Sequence, residues 1–92
     1  MMYAVNLSKR AREDLIKHRN SSNKQAIQKI SILLNELGNH PTTGTGHPEQ
    51  LRRYKGNHWS RHITGKHRMK YEIFDEILSV EVLQAWGHYE DK

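Results

Sequence analysis

Residues 51–86 read LRRYKGNHWSRHITGKHRMKYEIFDEILSVEVLQAW, and they decide the fold because the hydrophobic pattern there has a period of two. Alternation of this kind is typical of strands that bury one face. Turn-forming groups such as Lys55-Gly56-Asn57 interrupt the pattern. The stretch therefore predicts an antiparallel meander, with strands at residues 51–54, 58–64, 68–74 and 78–86.

Parity along two of these strands sorts their side chains between the faces of the sheet, because neighbouring residues on a strand point to opposite sides. On strand 58–64, His62 points to one face of the sheet, and Trp59, Arg61 and Ile63 point to the other face. On strand 68–74, Arg68 points to one face of the sheet, and Met69, Tyr71 and Ile73 point to the other face. We therefore expect His62 and Arg68 to share the open face of the sheet.

Upstream of the meander, the pattern predicts a short strand and two helices. Residues 3–7 alternate and end at Ser8, which is a good helix N-cap. The first helix is expected to end near His18, and Ser22 begins a capping-box pattern for the second. Gly38 is expected at the C-cap of that second helix. Its apolar stripe is made of Ala26, Ile27, Ile30, Leu33, Leu34 and Leu37.

The order of elements, with one strand and two helices before the meander, predicts a single α+β domain over residues 1–92. In this architecture the N-terminal strand and a two-helix layer pack on a twisted antiparallel sheet, and the other face of the sheet stays open. The chain has no cysteine and no long apolar run. We therefore expect a cytoplasmic protein without disulfides or a membrane segment.

Charge is unevenly distributed along the chain. Residues 1–40 carry a net charge of +4, residues 41–71 of +6 and residues 72–92 of −5. Residues 44–71 contain seven Lys or Arg and four His, but only one acid, Glu49. Such a segment is suited to binding a phosphate backbone, although a basic stretch is also common on a plain solvated face.

The residue types in this segment point to acid–base chemistry. A metal site has little support, because there is no HExxH motif and His58 and His62 would be neighbours only on a helix. A nucleophilic triad would need a cysteine or a serine in an elbow motif. Glu49, Arg68 and His88 instead supply a carboxylate, a guanidinium and an imidazole, a set that suits metal-free RNA cleavage by the 2′-hydroxyl. Each of them, taken singly, also fits an ordinary surface position.

Four blocks of sequence, GTGHPEQL, WSRHIT, HRMKYEI and the late HY, resemble the YoeB branch of the RelE/ParE toxin superfamily. Members of that branch read G-x-G-x-P-E-x-L, W-S-R-R-I-T, H-R-L-x-Y and a C-terminal H-Y. The resemblance covers roughly residues 40–92 at the level of motifs. It implies a RelE-like microbial RNase architecture and a ribosome-dependent mRNA endonuclease that acts in the A site, with no cofactor and no metal.

The resemblance also implies roles for individual residues. Glu49 corresponds to the general base, Arg68 to the arginine that stabilises the transition state, and His88 to the general acid. Tyr89 matches the adjacent tyrosine that helps to hold the substrate. We expect further RNA contacts from basic side chains of the same segment, namely Arg52, Arg53, Lys55, Arg61 and His62.

The chain departs from the family pattern at three places. His62 stands where the family usually has a second arginine, and a histidine carries full charge only when protonated. Arg52 stands where a lysine is common, which keeps the charge but changes its geometry. Glu90-Asp91-Lys92 extend beyond the tyrosine that is normally at or near the end. These departures leave the Glu, Arg and His set whole, and we expect them to affect the rate or its pH dependence.

Partners follow from the same resemblance. We expect the ribosome and mRNA, a small antitoxin whose acidic C-terminal segment is disordered until it binds, and a second copy of the chain, since relatives often form homodimers. Two other classes of function remain open: a ParE-like gyrase inhibitor, which shares the fold, and a catalytically silent RNA-binding module. Both predict that replacing Glu49 or His88 has little effect on toxicity.

Overall fold

Two helices cover one face of a five-stranded sheet in the computed structural model, which describes residues 2–87. Along the chain lie β1 (Ala4–Leu7), α1 (Lys9–Asn20), α2 (Lys24–Asn39), β2 (Glu49–Gln50), β3 (Asn57–His62), β4 (Arg68–Phe74) and β5 (Ser79–Gln84). The strand order is β1-β5-β4-β3-β2. None of the described helices is long and apolar enough to cross a membrane.

The expected α+β class is confirmed, and the sheet is mixed. Strands β2 to β5 form an antiparallel meander, in which β3, β4 and β5 correspond to the last three predicted strands. β1 joins it in parallel beside β5, with Ala4 opposite Ser79 and Leu7 opposite Val82. The N-terminal strand thus becomes one edge of the sheet, while β2 forms the other.

α1 begins at its predicted cap. Ser8 Oγ accepts a hydrogen bond from the Ala11 amide at 3.0 Å, which satisfies one of the amides that the first turn leaves without a helical partner. The helix runs two residues past its predicted end at His18. Its last turn carries Lys17 and Arg19, whose positive charge is favourable beside the negative end of the helix dipole.

α2 differs from its prediction at both ends. Asn23 Oδ1 accepts from the Ala26 amide at 3.1 Å, so the cap is one residue later than the Ser22 of the predicted capping box, which lies in the turn with a φ of 62°. Gly38 is not the C-cap but lies inside the helix. Its carbonyl accepts from the Tyr3 amide at 2.7 Å, because the chain leading into β1 passes close to this glycine.

The hydrophobic core lies between the helices and one face of the sheet. The row predicted on β4 is confirmed, since Met69, Tyr71 and Ile73 are buried while Phe74, from the opposite row, is 40% exposed. Both layers contribute buried side chains: Ala11, Ala26, Ile30, Leu33 and Leu37 from the helices, and Ile63, Met69, Tyr71, Ile73, Val80, Val82 and Ala85 from the strands and the residues that follow them.

The first predicted strand of the meander is wrong. Residues 51–54 form a turn, and strand pairing before them is confined to the two residues of β2. Leu51 is buried, and its amide donates to the His58 carbonyl at 2.8 Å. The apolar Leu51 therefore closes the hairpin, whereas the charged residues after it leave the sheet.

Candidate active site

Three neighbouring strands place the candidate side chains on one face of the sheet. Glu49 is paired with Ser60 across β2 and β3, and His62 with Arg68 across β3 and β4. Directly opposed residues of antiparallel strands project to the same face, with Cβ atoms about 5 Å apart. Ser60 and His62 also share a face, because they are two residues apart on β3. Glu49, His62 and Arg68 therefore lie together, and the expectation that His62 and Arg68 share a face is confirmed.

The electrostatics of His62 reflect this grouping. Burial lowers the pKa of His62, and the positive charges of Arg68, His47 and Lys29 lower it further, whereas the carboxylate of Glu49 acts in the opposite direction. The His47 and His62 rings meet edge to face, with centroids 5.7 Å apart. A histidine with a lowered pKa is mostly neutral at neutral pH.

The loop before Glu49 is fixed against β3. The amide of His62 donates to the carbonyl of Gly46 at 2.7 Å, and Gly46 has a φ of 84°. A Cβ on this glycine would lie 2.8 Å from the His62 carbonyl oxygen, closer than real Cβ contacts allow. Glycine is therefore required for the loop to approach β3 and deliver Glu49 to the face that carries His62.

Three buried polar atoms of this face have no hydrogen-bond partner within residues 2–87. They are Nη1 of Arg68, Oγ of Ser60 and Nδ1 of His58. Buried polar atoms in folded proteins are nearly always paired, because an unpaired one loses its hydration without compensation. Arg68 Nη1 is therefore a donor that residues 2–87 do not use.

The described chain ends beside Arg68. The Gly87 carbonyl accepts from the Arg68 amide at 2.9 Å, and the Gly87 amide donates to Nδ1 of His67 at 2.8 Å. His88 and Tyr89, expected to act as general acid and substrate contact, lie outside the described residues. Gly87 directly precedes them in the sequence.

The basic side chains of the turn between β2 and β3 lie at the other end of β3 from His62. Arg52, Arg53 and Lys55 are exposed there, and Lys70 Nζ sits 3.6 Å from the centroid of the Tyr54 ring. The length of β3 separates this turn from His62 by about 16 Å, at about 3.3 Å per residue. Positive charge therefore extends along the sheet rather than clustering at one point.

The expectation that Arg61 contacts RNA is wrong. Arg61 is 0% exposed, and its guanidinium lies between the sheet and the loop that follows α2. It donates to Glu36 Oε1, Tyr71 Oη and the carbonyl oxygens of His40, Thr43 and Thr45. Burial raises the pKa of Glu36, but hydrogen bonds from Thr45 and Arg61 outweigh it and the net pKa is lowered. Arg61 therefore holds a loop in place instead of facing a ligand.

Sequence reasoning also missed the surroundings of His67. The ring of His67 is buried against the rings of Trp86, with centroids 4.2 Å apart, and His18, at 4.9 Å. The spacing of Asp14 and His18 on the same side of α1 was the available signal, because a carboxylate and an imidazole four residues apart share one face of a helix. Within residues 2–87, no group of three or more His, Asp or Glu has the arrangement of a metal site.

Comparison with known proteins gives a sequence match over most of the chain. The family model described as the YoeB-like toxin of bacterial type II toxin–antitoxin systems matches residues 7–89. Toxin RelK of Mycobacterium tuberculosis is 34% identical over 88 residues, which cover 96% of this chain and all of that toxin.

Solved structures match over the whole fold. The YoeB/ParE toxin from Agrobacterium tumefaciens superposes with a TM-score of 0.81 at 27% identity, covering 94% of this chain and 99% of that one. YoeB from Staphylococcus aureus, solved as a dimer, gives a TM-score of 0.76 at 27% identity and covers 97% of this chain and all of its own. A YoeB-YefM complex from the same organism gives 0.74 at 28% identity, with the same coverage.

Proposed function

The chain belongs to the YoeB-like toxins of bacterial type II toxin–antitoxin systems, and from that premise we propose that it is a ribosome-dependent endoribonuclease that cleaves mRNA in the A site. The observation that carries the proposal is the placement of Glu49, His62 and Arg68 on one face of a basic segment. A carboxylate and a guanidinium on one face can act on the same phosphodiester, one as a base and the other on the developing charge.

In the proposed reaction, Glu49 removes the proton of the 2′-hydroxyl, and the 2′ oxygen attacks the adjacent phosphorus. The guanidinium of Arg68 stabilises the negative charge that develops on the phosphorane oxygens. His88 donates a proton to the 5′ oxygen as the P–O5′ bond breaks. The products are a 2′,3′-cyclic phosphate and a 5′-hydroxyl. Nη1 of Arg68 has no hydrogen-bond partner among residues 2–87, which supports its part in this scheme. The role of His88 rests on the family resemblance.

We assign substrate binding to the cations outside the catalytic set. Arg52, Arg53 and Lys55 occupy the exposed turn beyond β2 and are placed to contact phosphates away from the cut. Such contacts fix the register of the nucleic acid without reading its bases. His62 lies next to the scissile phosphate in this arrangement, and Tyr89 is proposed to contact the substrate there.

We also propose a cognate antitoxin and a homodimer. YoeB from S. aureus was solved as a dimer, and a YoeB-YefM complex from that organism was also solved, which supports these assemblies for this chain. Residues 41–71 carry a net charge of +6, so the antitoxin segment that covers them is expected to be acidic. The cytoplasm, which contains ribosomes and translated mRNA, is the proposed site of action.

Single-turnover cleavage of mRNA on programmed ribosomes tests the proposed function. We expect rapid cleavage on ribosomes and weak cleavage of free RNA, because the A site supplies positioning that can contribute many kcal/mol. Glu49→Gln, Arg68→Ala and His88→Ala should each slow the chemical step by about 10²-fold or more, with ribosome affinity nearly unchanged.

Lys55→Ala is the matched control for that experiment. It removes a phosphate contact rather than a catalytic group, so binding should weaken in a salt-sensitive way while the chemical step changes less. Comparable rates on free and ribosome-bound mRNA would contradict ribosome dependence. A Glu49→Gln toxin that stays fully toxic would favour the gyrase inhibitor or the silent RNA-binding module instead.

A further inference from the structure

The segment that leads out of β5 is held by two buried side chains of α1. Asp14 Oδ2 accepts from the Ala85 amide at 2.9 Å, and His18 Nε2 faces the Ala85 carbonyl at 2.7 Å. Because a carbonyl can only accept, His18 Nε2 carries the proton. Asp14 and His18 are each 2% exposed. Both backbone groups of Ala85 are thus bound by side chains from a distant element.

Gly87, two residues later, is held in the same way from the start of β4. Its amide donates to His67 Nδ1 at 2.8 Å, and its carbonyl accepts from the Arg68 amide at 2.9 Å. Gly87 has a φ of 86°, a backbone conformation that favours glycine. Between the two anchored residues, Trp86 packs its ring on His67 and His18.

The hydrogen bond to Gly87 fixes the protonation of His67. Nδ1 accepts an amide proton, so it carries none of its own, and the neutral ring has its proton on Nε2. Burial lowers the pKa of His67, the positive charges of His18 and Lys66 lower it further, and the carboxylate of Asp14 opposes them. Lys17 lies over the Trp86 ring, 5.6 Å from its centroid, on the same side of the molecule. The environment therefore favours the neutral ring that the hydrogen bond needs.

We propose that His67 is a positioning residue for the general acid, and that its Nδ1, by holding the amide of Gly87, fixes the backbone immediately before His88 beside Arg68. This inference rests on the proposed nuclease function. A general acid must come within hydrogen-bond reach of the leaving oxygen, and a displacement of about 1 Å can cost about 10²-fold in rate. Gly87, the residue before His88, is bound to the backbone of Arg68, so the last described residue and the proposed transition-state arginine share one hydrogen-bonded support.

Two substitutions of equal size test the role of Nδ1. The Asn side chain places its oxygen near the position of the His Nδ1, whereas Leu has the same shape as Asn and no acceptor. We expect His67→Leu to slow single-turnover cleavage on ribosomes by about 10-fold to 10²-fold without changing ribosome affinity. His67→Asn should restore most of the rate. In a His88→Ala background, His67→Leu should cause no further loss, because the group that His67 positions is already absent.

Hydrogen exchange of the Gly87 amide supplies a readout that is independent of activity. His67→Leu should lose protection at this amide, while His67→Asn and His88→Ala should keep it. If His67→Leu does not fold, His67→Gln takes its place, since the Gln amide reaches the position of Nε2 rather than Nδ1.

The outcomes separate this inference from the proposed function. A wild-type toxin that cleaves on ribosomes together with an equally active His67→Leu variant overturns the inference alone. Unchanged protection of the Gly87 amide in His67→Leu, or an undiminished effect of that variant in the His88→Ala background, overturns it as well. A wild-type toxin that fails to cleave ribosome-bound mRNA overturns the proposed function, and the inference with it.

Discussion

His62 and Arg68 stand directly opposite each other on the face that carries Glu49. Like charges in directly opposed positions of a sheet repel, and this repulsion is one reason why the pKa of His62 is lowered, after burial. At neutral pH the imidazole is therefore mostly uncharged. In the proposed function, the positive charge that a phosphate would meet at this point is supplied by Arg68, with a further contribution from His62 as the pH falls.

His62→Arg tests the contribution of that charge. Arginine stays protonated at every working pH, and a bound phosphate would lie against both cations. Wild-type toxin loses the charge at position 62 as the pH rises through the lowered pKa, so the variant should match or exceed the wild-type rate near neutral pH, with the difference growing above that pKa. The pH profile of single-turnover cleavage measures this. A variant that folds but is severely slowed would assign His62 an acid–base role of its own.

The net charge of a segment does not predict which of its basic side chains face solvent, and Arg61 is an example. It lies in the same basic segment as Arg68, but the parity of β3 places it in the row of Trp59 and Ile63, which faces the core. The period-two rule therefore predicted its direction correctly, while the net charge of the segment suggested RNA contact. The hydrogen-bond acceptors that make its burial favourable come from Glu36 and from a loop without regular pattern, and no spacing in the sequence indicates them.

Arg61→Met should destabilise the fold. Methionine fills a similar volume, but it removes the guanidinium donor from the Glu36 carboxylate and from several loop carbonyls, which should cost about 3 kcal/mol or more in the free energy of unfolding. Urea denaturation at pH 7 measures this. Arg52→Met, at an exposed position, is the control and should change stability by less than about 0.5 kcal/mol. Equal stability of the two variants would contradict the structural role of Arg61.

At the scale of elements, hydrophobic period and caps predicted the order and type of the helices and most strands. Ser8 caps α1 as expected, and β4 has its predicted bounds. The exceptions depend on contacts between residues that are far apart in the sequence. Gly38 looked like a C-cap because glycine commonly ends helices, yet α2 continues through it while the residue before β1 binds its carbonyl. A contact between segments that are far apart in the chain produces no local pattern in the sequence.

Gly38→Ala tests whether this glycine is a helix C-cap or an interior residue of α2. A Cβ there would lie 3.5 Å from the Tyr3 carbonyl oxygen and 3.7 Å from Val5 Cγ2, which are ordinary contacts. Alanine is the better helix former, so the variant should be as stable as wild type or up to about 1 kcal/mol more stable. Thermal unfolding measures the change. Gly46→Ala is the contrasting variant, since its φ of 84° and its close approach to His62 should cost more than about 1 kcal/mol. Strong destabilisation by Gly38→Ala would argue for the cap.

For the whole molecule, charge is segregated along the sequence. The segment at residues 41–71 carries +6, whereas residues 72–92 carry −5. This division was visible without a structure, as was the placement of His62 and Arg68 on one face. The parallel pairing of β1 with β5 was not, because strand partners separated by most of the chain are selected by packing in the finished fold.

The double variant Arg52→Ala, Arg68→Ala should bind the antitoxin more weakly and with a shallower dependence on salt. The physical reason is that an acidic segment covering residues 41–71 loses two cationic partners. Titration calorimetry at two salt concentrations measures both effects. Lys24→Ala, an exposed cation outside the segment, is the control. Affinity and salt dependence that equal those of wild type would contradict electrostatic recognition.

The pairing of β1 with β5 also constrains when the protein can fold. β1 has its hydrogen-bond partner at Ser79–Gln84, and the anchoring of Ala85 by α1 likewise joins the two ends of the chain. Contacts of such high sequence separation form late, because the intervening chain must be made and ordered first. During translation, the sheet therefore stays incomplete until the final strand has emerged. The nuclease proposed for this chain would therefore lack its complete sheet, and the backbone partner of Arg68, until residues 79–87 are available to pair.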